Sequence, residues 1–262
     1  MNDKSKKFLE ELILTPSPSG NEVELQRKWI KYVEGFADKI ETDYAGNVIA
    51  SINPESNFKI MLAGHCDEIA FMVNYIDDDG YIYLSKAGGI NPKVALGMRL
   101  NVFGYKATIP GVVGIKAEHH GGAKKDLNIE DIFIDCGFKD RDDAMKHLRV
   151  GDYAVYNYGF EYLANDGFVG RGLDNRTGAF IVAEVIRHLS KERPKIGVYC
   201  VSTVNEETTM GGAHFAASKI EPNLGLACDV TFATDYPGMD AKKYGDVKLG
   251  KGPVVSFGSQ IN

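Results

Sequence analysis

The middle of the chain carries a pattern that neither end shows. Between residues 69 and 160, short β-like pieces such as FMVNYI, RLNVFGY and DIFIDCG are separated by Gly, Asp and Asn. Hairpin signals recur there, as in DDDGYIYL, and only RDDAMKHL has a helical pattern. This segment therefore predicts a small antiparallel barrel or sandwich, which interrupts whatever the two ends of the chain form together.

Both flanking parts instead alternate helices with buried strands. Helical periodicity over residues 5–14 and 21–36 precedes the strand-like VIASI and the apolar run KIMLAG, and Ser19 or Asn21 is placed to cap the second helix. After residue 163 the order is helix, strand, helix, strand, in NRTGAFIVAEVIRHLSKE, PKIGVYCVSTV, GGAHFAASKI and LGLACDVTFATD. This alternation predicts an α/β fold with a mixed, largely parallel sheet and helices on both faces.

The two patterns divide the chain into two units. We expect residues 1–68 and 163–262 to form one discontinuous α/β unit, and residues 69–162 to form an all-β insertion. The length of 262 residues and the apolar content of 44% are sufficient for two such cores.

Charge and cysteine usage exclude several classes of partner. The chain has 30 basic and 36 acidic residues, so a nucleic-acid partner is not expected. Its apolar runs are shorter than a membrane span, and the N-terminus, MNDKSKKFLEELIL, lacks the apolar core of a signal peptide, so we expect no membrane partner. The four cysteines are scattered without a CxxC pair, which predicts unpaired thiols and a cytoplasmic location.

Acidic and histidine residues stand in four clusters at the ends of predicted elements. In open α/β sheets, ligands collect beyond the carboxyl ends of the strands, so we expect these clusters to converge on one crevice. They are His65 and Asp67 after KIMLAG, Asp174 in GRGLDNRTG, Glu206 and Glu207 after GVYCVSTVN, and Asp229 after LGLAC.

These residue types suit a hydrolytic centre with two metal ions. Zinc accepts an imidazole together with carboxylates, and a carboxylate such as Asp174 can bridge two ions. Asp67 is placed to orient the ring of His65. Because two adjacent carboxylates do not both ionise easily in a dry site, Glu206 and Glu207 are expected to divide into one ligand and one general base.

Each cluster taken alone has a simpler explanation. These explanations are a capped turn for the His65 cluster, a helix cap for Asp174, a solvated helix start for the glutamate pair and a turn for Asp229. Their shared position after buried strands favours a common site. The His119-His120 pair falls in the β insertion, and we interpret it as loop or interface histidines.

At these residues the chain resembles the M42 metallopeptidase family, which includes glutamyl, deblocking and tetrahedral aminopeptidases. The resemblance implies a zinc-peptidase-like fold with a PDZ-like β insertion that makes subunit contacts, and homo-oligomers from dimers to dodecamers. The matching blocks run from residue 5 to the chain end and are PSPSGNE, AGNVIA, AGHCDEIAFMV, GGINPKV, GVVGIKAEH, GRGLDNRTGAF, NEETTMGGA, ACDVTFATDYPG and GKGPVV.

The same resemblance implies a role for each site residue. The family uses two divalent ions, zinc or cobalt, and acts on peptides with a free N-terminus. The implied roles are first-site ligands for His65 and Asp229, bridging carboxylate for Asp174, second-site ligand for Glu207, general base for Glu206 and orienting partner for Asp67.

Two features depart from the family pattern. The first is Thr208-Thr209, which follows the glutamate pair where the family usually has Val-Gly. Second, family members continue into a further segment that carries the last histidine ligand of the second metal, and here no histidine follows His214. We therefore expect the C-terminal part of the catalytic unit to be missing, and the second site to hold only Asp174 and Glu207.

The main expectation is an aminopeptidase with two catalytic metal ions. The alternatives are a truncated or catalytically inactive scaffold subunit of the same family, and a metal hydrolase that acts on acylated amino acids or glycans. The glycan version is disfavoured, because glycosidases use two carboxylates without a metal pair.

Overall fold

The computed structural model describes residues 1–122 and 125–257. The α-helices are α1 (Asp3–Leu14), α2 (Val23–Val33), α3 (Arg141–Met145), α4 (Leu173–Leu189), α5 (Glu206–Thr209), α6 (Gly211–Ile220) and α7 (Ala241–Tyr244). The strands are β1 (Lys39–Thr42), β2 (Val48–Ile52), β3 (Lys59–His65), β4 (Ala70–Ile76), β5 (Ile82–Ala87), β6 (Arg99–Phe103), β7 (Thr108–Gly114), β8 (Phe133–Asp135), β9 (Tyr153–Tyr156), β10 (Phe160–Tyr162), β11 (Phe168–Gly170), β12 (Gly197–Thr203) and β13 (Leu224–Ala227).

Five strands form a mixed sheet in the order β1-β2-β12-β3-β13. In the described sheet, β3 pairs in parallel with β12 and β13, whereas β2 pairs antiparallel with β1 and β12. The sheet is thus mixed, as predicted, but only half of these pairings are parallel. One of the two antiparallel pairings has a local cause: Asp43 Oδ1 accepts from the amides of Ala45, Gly46 and Asn47, each at 3.0 Å, and closes a hairpin between β1 and β2.

Alternate residues of β2 contact different helices. Val48, Ala50 and Ile52 are buried in the cluster that includes α1, α2 and α4. Ile49 lies in a second buried cluster with Ala216 of α6. The period of two along the strand therefore separates the two sets of helices.

Helix α4 lies against β3 at a point where both the helix and the strand have a glycine. A Cβ placed on Gly64 would lie 2.4 Å from the backbone carbon of Gly178, so a side chain does not fit there. This close approach brings the first turn of α4 to the end of β3.

The predicted β insertion folds as a closed barrel with the strand order β4-β5-β8-β7-β6-β9. All its pairings are antiparallel, and its interior is filled by buried apolar residues such as Phe71, Leu100 and Ile134. The predicted helix in RDDAMKHL is α3. The choice between a barrel and a sandwich is thus settled in favour of a barrel.

The start of α2 differs from the prediction. Neither Ser19 nor Asn21 is its N-cap residue, a position that Glu22 takes. The hydroxyl of Ser19 donates instead to Asp67 Oδ2 at 2.6 Å. The expected cap is wrong because tertiary packing gives this hydroxyl a buried acceptor at the end of another element.

The four cysteines are all unpaired, as predicted, with Cys66 and Cys200 fully buried. Burial in apolar surroundings raises the pKa of both thiols above its usual range. Across the described ranges, the helices are too short or too polar to cross a membrane.

Candidate metal centre

All six predicted site residues lie together at one end of the mixed sheet. They come from four different parts of the fold, and the parallel strands β3, β12 and β13 deliver three of these parts to the same edge. They are His65 at the end of β3, Asp67 two residues later, Asp174 in the first turn of α4, Glu206 and Glu207 at the start of α5, and Asp229 two residues after β13.

The imidazole of His65 is the centre of the cluster. Its Nε2 lies 3.2 Å from Asp174 Oδ1, 3.6 Å from Glu206 Oε2 and 3.9 Å from Asp229 Oδ1. Its Nδ1 lies 3.3 Å from Asp67 Oδ1, a distance that permits an ion pair although the angle falls short of a hydrogen bond to any described group. The ring is therefore held between one buried acid and three carboxylates that are open to solvent.

Asp67 is fully buried and fixed by several donors. Its Oδ1 accepts from the Glu206 amide at 3.0 Å, and its Oδ2 accepts from Ser19 Oγ at 2.6 Å and from the Glu207 amide at 3.1 Å. Burial alone would raise the pKa of Asp67, but His65, Ser19 and the Glu206 amide hold it below its usual value. Asp67 thus stays ionised and links His65 to the start of α5.

The outer carboxylates repel one another. Burial and then Asp174 raise the pKa of Glu207 to about 7. Burial and the nearby acids also raise the pKa of Glu206. Burial opposes protonation of His65, but Asp174 and Asp67 outweigh it and raise the pKa of this ring to about 10. The cluster has an excess of negative charge, which a bound cation would neutralise.

The donor set fits a divalent cation. Two groups of three ligand atoms lie within 4.8 Å of one another, one in His65, Glu206 and Asp229, the other in His65, Asp174 and Glu207. An imidazole nitrogen with carboxylate oxygens is a set that zinc and similar ions accept. These groupings do not test which of the carboxylates is a ligand, so the roles given to them by the sequence stay predictions.

A buried ion-pair network supports the segment that carries Asp174. Glu68 Oε1 accepts from Arg176 Nη2 at 2.6 Å and from the Ser17 amide at 2.9 Å, and its Oε2 accepts from Arg171 Nε at 2.7 Å. Burial would raise the pKa of Glu68, but the two arginines keep it low. Sequence reasoning missed this network, although Arg171 and Arg176 flank Asp174 and Glu68 directly follows Asp67.

Asn175 joins the start of α4 to the end of β13. Its Oδ1 accepts from the Gly178 amide at 2.8 Å and caps the regular part of the helix, while its Nδ2 donates to the Cys228 carbonyl at 2.8 Å. The neighbours of these residues are Asp174 and Asp229, so this one side chain brings the two acids to the same place.

A cavity of about 360 Å³ opens beside the carboxylates. Asp174 and Glu207 line it on one side, and Gly89, Tyr156 and Tyr158 of the barrel segment line it on the other. The cavity therefore lies between the mixed sheet and the barrel, with room for part of a substrate.

Comparison with known proteins identifies the family. The sequence pattern of the M42 glutamyl aminopeptidase family matches residues 46–261. The chain belongs to the M42 family. A lysyl aminopeptidase from Pyrococcus furiosus is 32% identical to it over 261 residues, which cover 97% of this chain and 74% of that protein. This M42 chain is therefore an aminopeptidase, a hydrolase that acts on peptide bonds.

Solved structures agree with this assignment. A TET aminopeptidase from a marine sediment archaeon, Thaumarchaeota archaeon, superposes with a TM-score of 0.90 at 32% identity, covering 95% of this chain and 71% of that one. The TET1 peptidase of Pyrococcus horikoshii, described as assembling into a tetrahedron or a large octahedral shell, gives a TM-score of 0.83 at 30% identity, covering 95% and 73%. The M42 chain thus has the mixed α/β fold of these aminopeptidases.

Proposed function

We propose that this chain removes N-terminal residues from peptides by hydrolysis that depends on two divalent cations. One observation carries the proposal: His65 Nε2 lies within 3.9 Å of carboxylates from three separate elements, while Asp67 supports the opposite side of the ring. Such convergence needs four segments of chain, and a solvated turn or helix cap needs only one.

The proposed ligands follow from this arrangement and from the family. His65 and Asp229 would hold one cation, Glu207 would hold the other, and Asp174 is the carboxylate proposed to serve both. When bound, zinc or cobalt ions supply Lewis-acid polarisation of the scissile carbonyl and lower the pKa of a water. The buried, ionised Asp67 faces Nδ1 of His65 and would orient the ring so that Nε2 faces the proposed carboxylate ligands.

Glu206 is the proposed general base. Its Oε2 takes a proton from the attacking water and later gives it to the leaving amine nitrogen as the peptide C–N bond breaks. Its side chain is 29% exposed, so it can reach both water and substrate.

The excess of carboxylates also accounts for a preference for free N-termini. Asp174 and Asp229 have side chains that are 62% and 48% exposed, so those of their oxygen atoms that do not hold the proposed cations would remain open to an α-ammonium group. An acylated N-terminus has no such charge. The chain is therefore expected to cleave unblocked peptides and to leave N-acylated ones intact.

The barrel is the proposed assembly unit. We propose that residues 1–68 and 163–262 form the catalytic unit and that residues 69–162 form a PDZ-like unit for homo-oligomer contacts in the cytoplasm. The shells described for the Pyrococcus horikoshii relative support assembly. Exposed apolar residues of the barrel segment, among them Tyr81 and Val150, support its use as a contact surface.

The decisive experiment measures release of free amino acids from unblocked and N-acylated aminoacyl anilides. Activity should appear with zinc or cobalt, be confined to unblocked substrates and disappear on chelation. The substrate panel would also show whether acidic, basic or apolar residues are preferred. Cleavage of acylated substrates alone would overturn the proposal, as would activity that survives full metal removal.

A further inference from the structure

Four successive backbone N–H groups at the start of α5 each donate to a side-chain oxygen from another part of the chain. Backbone amides at a helix start more often pair with water or with a cap from their own segment. Here the acceptors come from three separate segments. The hydrogen bonds are Val204 to Asn47 Oδ1 at 3.0 Å, Asn205 to Glu22 Oε1 at 3.1 Å, Glu206 to Asp67 Oδ1 at 3.0 Å and Glu207 to Asp67 Oδ2 at 3.1 Å.

We propose that Glu22 and Asn47 are positioning residues for the glutamate pair, a role that rests on the proposed function and adds to that of Asp67. They bind the amides immediately before Glu206, where the backbone turns. Asn205 has a φ of 58° and a ψ of 35°, a left-handed conformation that needs support from its surroundings.

Glu22 is well suited to this task. It is only 7% exposed. One of its two carboxylate oxygens, Oε1, accepts from both the Gly20 amide, at 2.8 Å, and the Asn205 amide, at 3.1 Å. It thereby joins the loop before α2 to the loop before α5. A carboxylate that is this buried, with two backbone donors on one oxygen, acts through its reach rather than as a solvated surface charge.

Asn47 holds the adjacent amide from a rigid base. Its side chain is fully buried, and its Nδ2 donates to Asp43 Oδ2 and to the Gly212 carbonyl, both at 2.8 Å. These two bonds fix the orientation of the amide group, so Oδ1 is left to face Val204. The hairpin turn between β1 and β2 is thus linked through Asn47 to the loop before α5.

Small errors in this loop have large consequences for catalysis. A displacement of about 1 Å at a reacting group can lower the rate by about 10²-fold. Loss of the Asn205 contact frees the backbone next to Glu206, so we expect kcat to fall more than KM changes.

Two conservative variants of Glu22 separate reach from charge. Glu22→Gln keeps the length and an accepting oxygen but removes the charge, whereas Glu22→Asp keeps the charge but is one methylene too short. We expect Glu22→Asp to lower kcat by about 10–100-fold and Glu22→Gln to stay within about fivefold of wild type. Glu24→Asp, an exposed position on the same helix, is the matched control.

A second readout does not depend on activity. Amide hydrogen exchange of the segment 204–207 should be at least about tenfold faster in Glu22→Asp than in wild type, Glu22→Gln or Glu24→Asp. Zinc affinity should also be lower in Glu22→Asp than in wild type, Glu22→Gln or Glu24→Asp, because Glu207 is on this segment. Circular dichroism of each variant would establish that it is folded.

The outcomes distinguish this inference from the proposed function. If Glu22→Asp exchanges and turns over like wild type, Glu22 is not a positioning residue, whatever the reaction is. If Glu22→Gln is the more damaged variant, charge rather than reach is responsible and the inference is wrong. If wild type shows no metal-dependent cleavage, the proposed function fails, while the exchange data still test the contact.

Discussion

The two adjacent glutamates differ in what surrounds each side chain. Glu206 faces the ring of His65, at 3.6 Å, whereas Glu207 lines the cavity together with Asp174. A Cβ placed on Gly88 of the barrel segment would lie 3.3 Å from Cβ of Glu207, so this side chain is also confined from the barrel side. Neighbours in sequence thus have different surroundings, one facing the ring of His65 and one lining the cavity.

Replacing Glu206 tests this division of roles. Glu206→Gln should lower kcat by at least 10²–10⁴-fold, because the amide cannot take the proton from water. Zinc content should stay close to that of wild type, since the proposed ligands are intact. Steady-state kinetics and metal analysis would check both, with the exposed Glu161→Gln as the control. Near-normal turnover of Glu206→Gln would contradict its role as base.

Among the elements, three helices meet at one carboxylate. Glu184 of α4 accepts from Ser5 of α1 at 2.9 Å, from Tyr32 of α2, and from Arg187 at 2.6 Å. Burial would raise the pKa of Glu184, but these donors outweigh it and lower this pKa to about 2. The carboxylate therefore stabilises the packing of α1 and α2 against α4 only while it is ionised.

This arrangement predicts a pH dependence of stability. Because the folded-state pKa of Glu184 lies below its ordinary value of 4.5, its contribution is complete above about pH 4.5 and is lost as the pH falls toward about 2. Glu184→Gln should thus be less stable than wild type at pH 7 by about 1–2 kcal/mol, with the difference shrinking below pH 4.5. Urea unfolding at several pH values would measure it. A constant difference across this range would contradict the assignment, and the exposed Glu192→Gln is the control.

The contact between α4 and β3 gives a second prediction for the elements. Gly64→Ala should destabilise the fold by about 3 kcal/mol or more, because its Cβ meets the backbone of Gly178 and not a movable side chain. The shift of α4 should also displace Asp174 and lower kcat. Gly225→Ala in β13 adds a Cβ with nothing within 4 Å, so its stability should stay within about 0.5 kcal/mol of wild type. Equal stability of the two variants in urea unfolding would disprove the contact.

The sequence predicts that the acidic and histidine clusters converge, because this follows from local order along the chain, and the structure places them together. His65, Asp174 and Asp229 are predictable as neighbours because each adjoins the end of an apolar strand or the start of a helix, and such ends meet in α/β sheets. Their roles as ligands stay predictions. Glu22, Asn47 and Glu68 were missed. Their roles depend on acceptors and donors that are distant in sequence, and nothing local distinguishes them from caps and turn residues.

For the whole molecule, metal binding should couple the site to global stability. A ligand at 100 times its Kd stabilises the folded state by about 2.7 kcal/mol, which is a rise in Tm of roughly 5–10 °C for a chain of this size. Zinc should raise Tm by this order and a chelator should reverse it. Glu207→Gln should reduce the rise, whereas Glu192→Gln should not. An unchanged Tm at saturating zinc would argue against a metal centre.

The sequence predicts what kind of unit the barrel is but not the order of its strands. Short β pieces with hairpin signals predicted an antiparallel unit, and the closed barrel confirms this. Its order β4-β5-β8-β7-β6-β9 was not predictable, because closure depends on pairings such as β4 with β9 that are distant in sequence. The same holds for β12, whose apolar run predicted burial but not its place beside β2.

The position of β12 between β2 and β3 sets an order of events during synthesis. Strands β2 and β3 leave the ribosome early, yet they do not pair with each other. Strand β12 lies between them in the sheet, and it follows the entire barrel in the sequence. At roughly 5–20 residues per second, the N-terminal strands wait for several seconds or more with unpaired edges. All six barrel strands lie between β3 and β12 in the sequence, so the barrel can close in that interval without β12. The nascent chain would thus complete the barrel before the mixed sheet, and the acids that surround His65 would meet only when β13 has emerged.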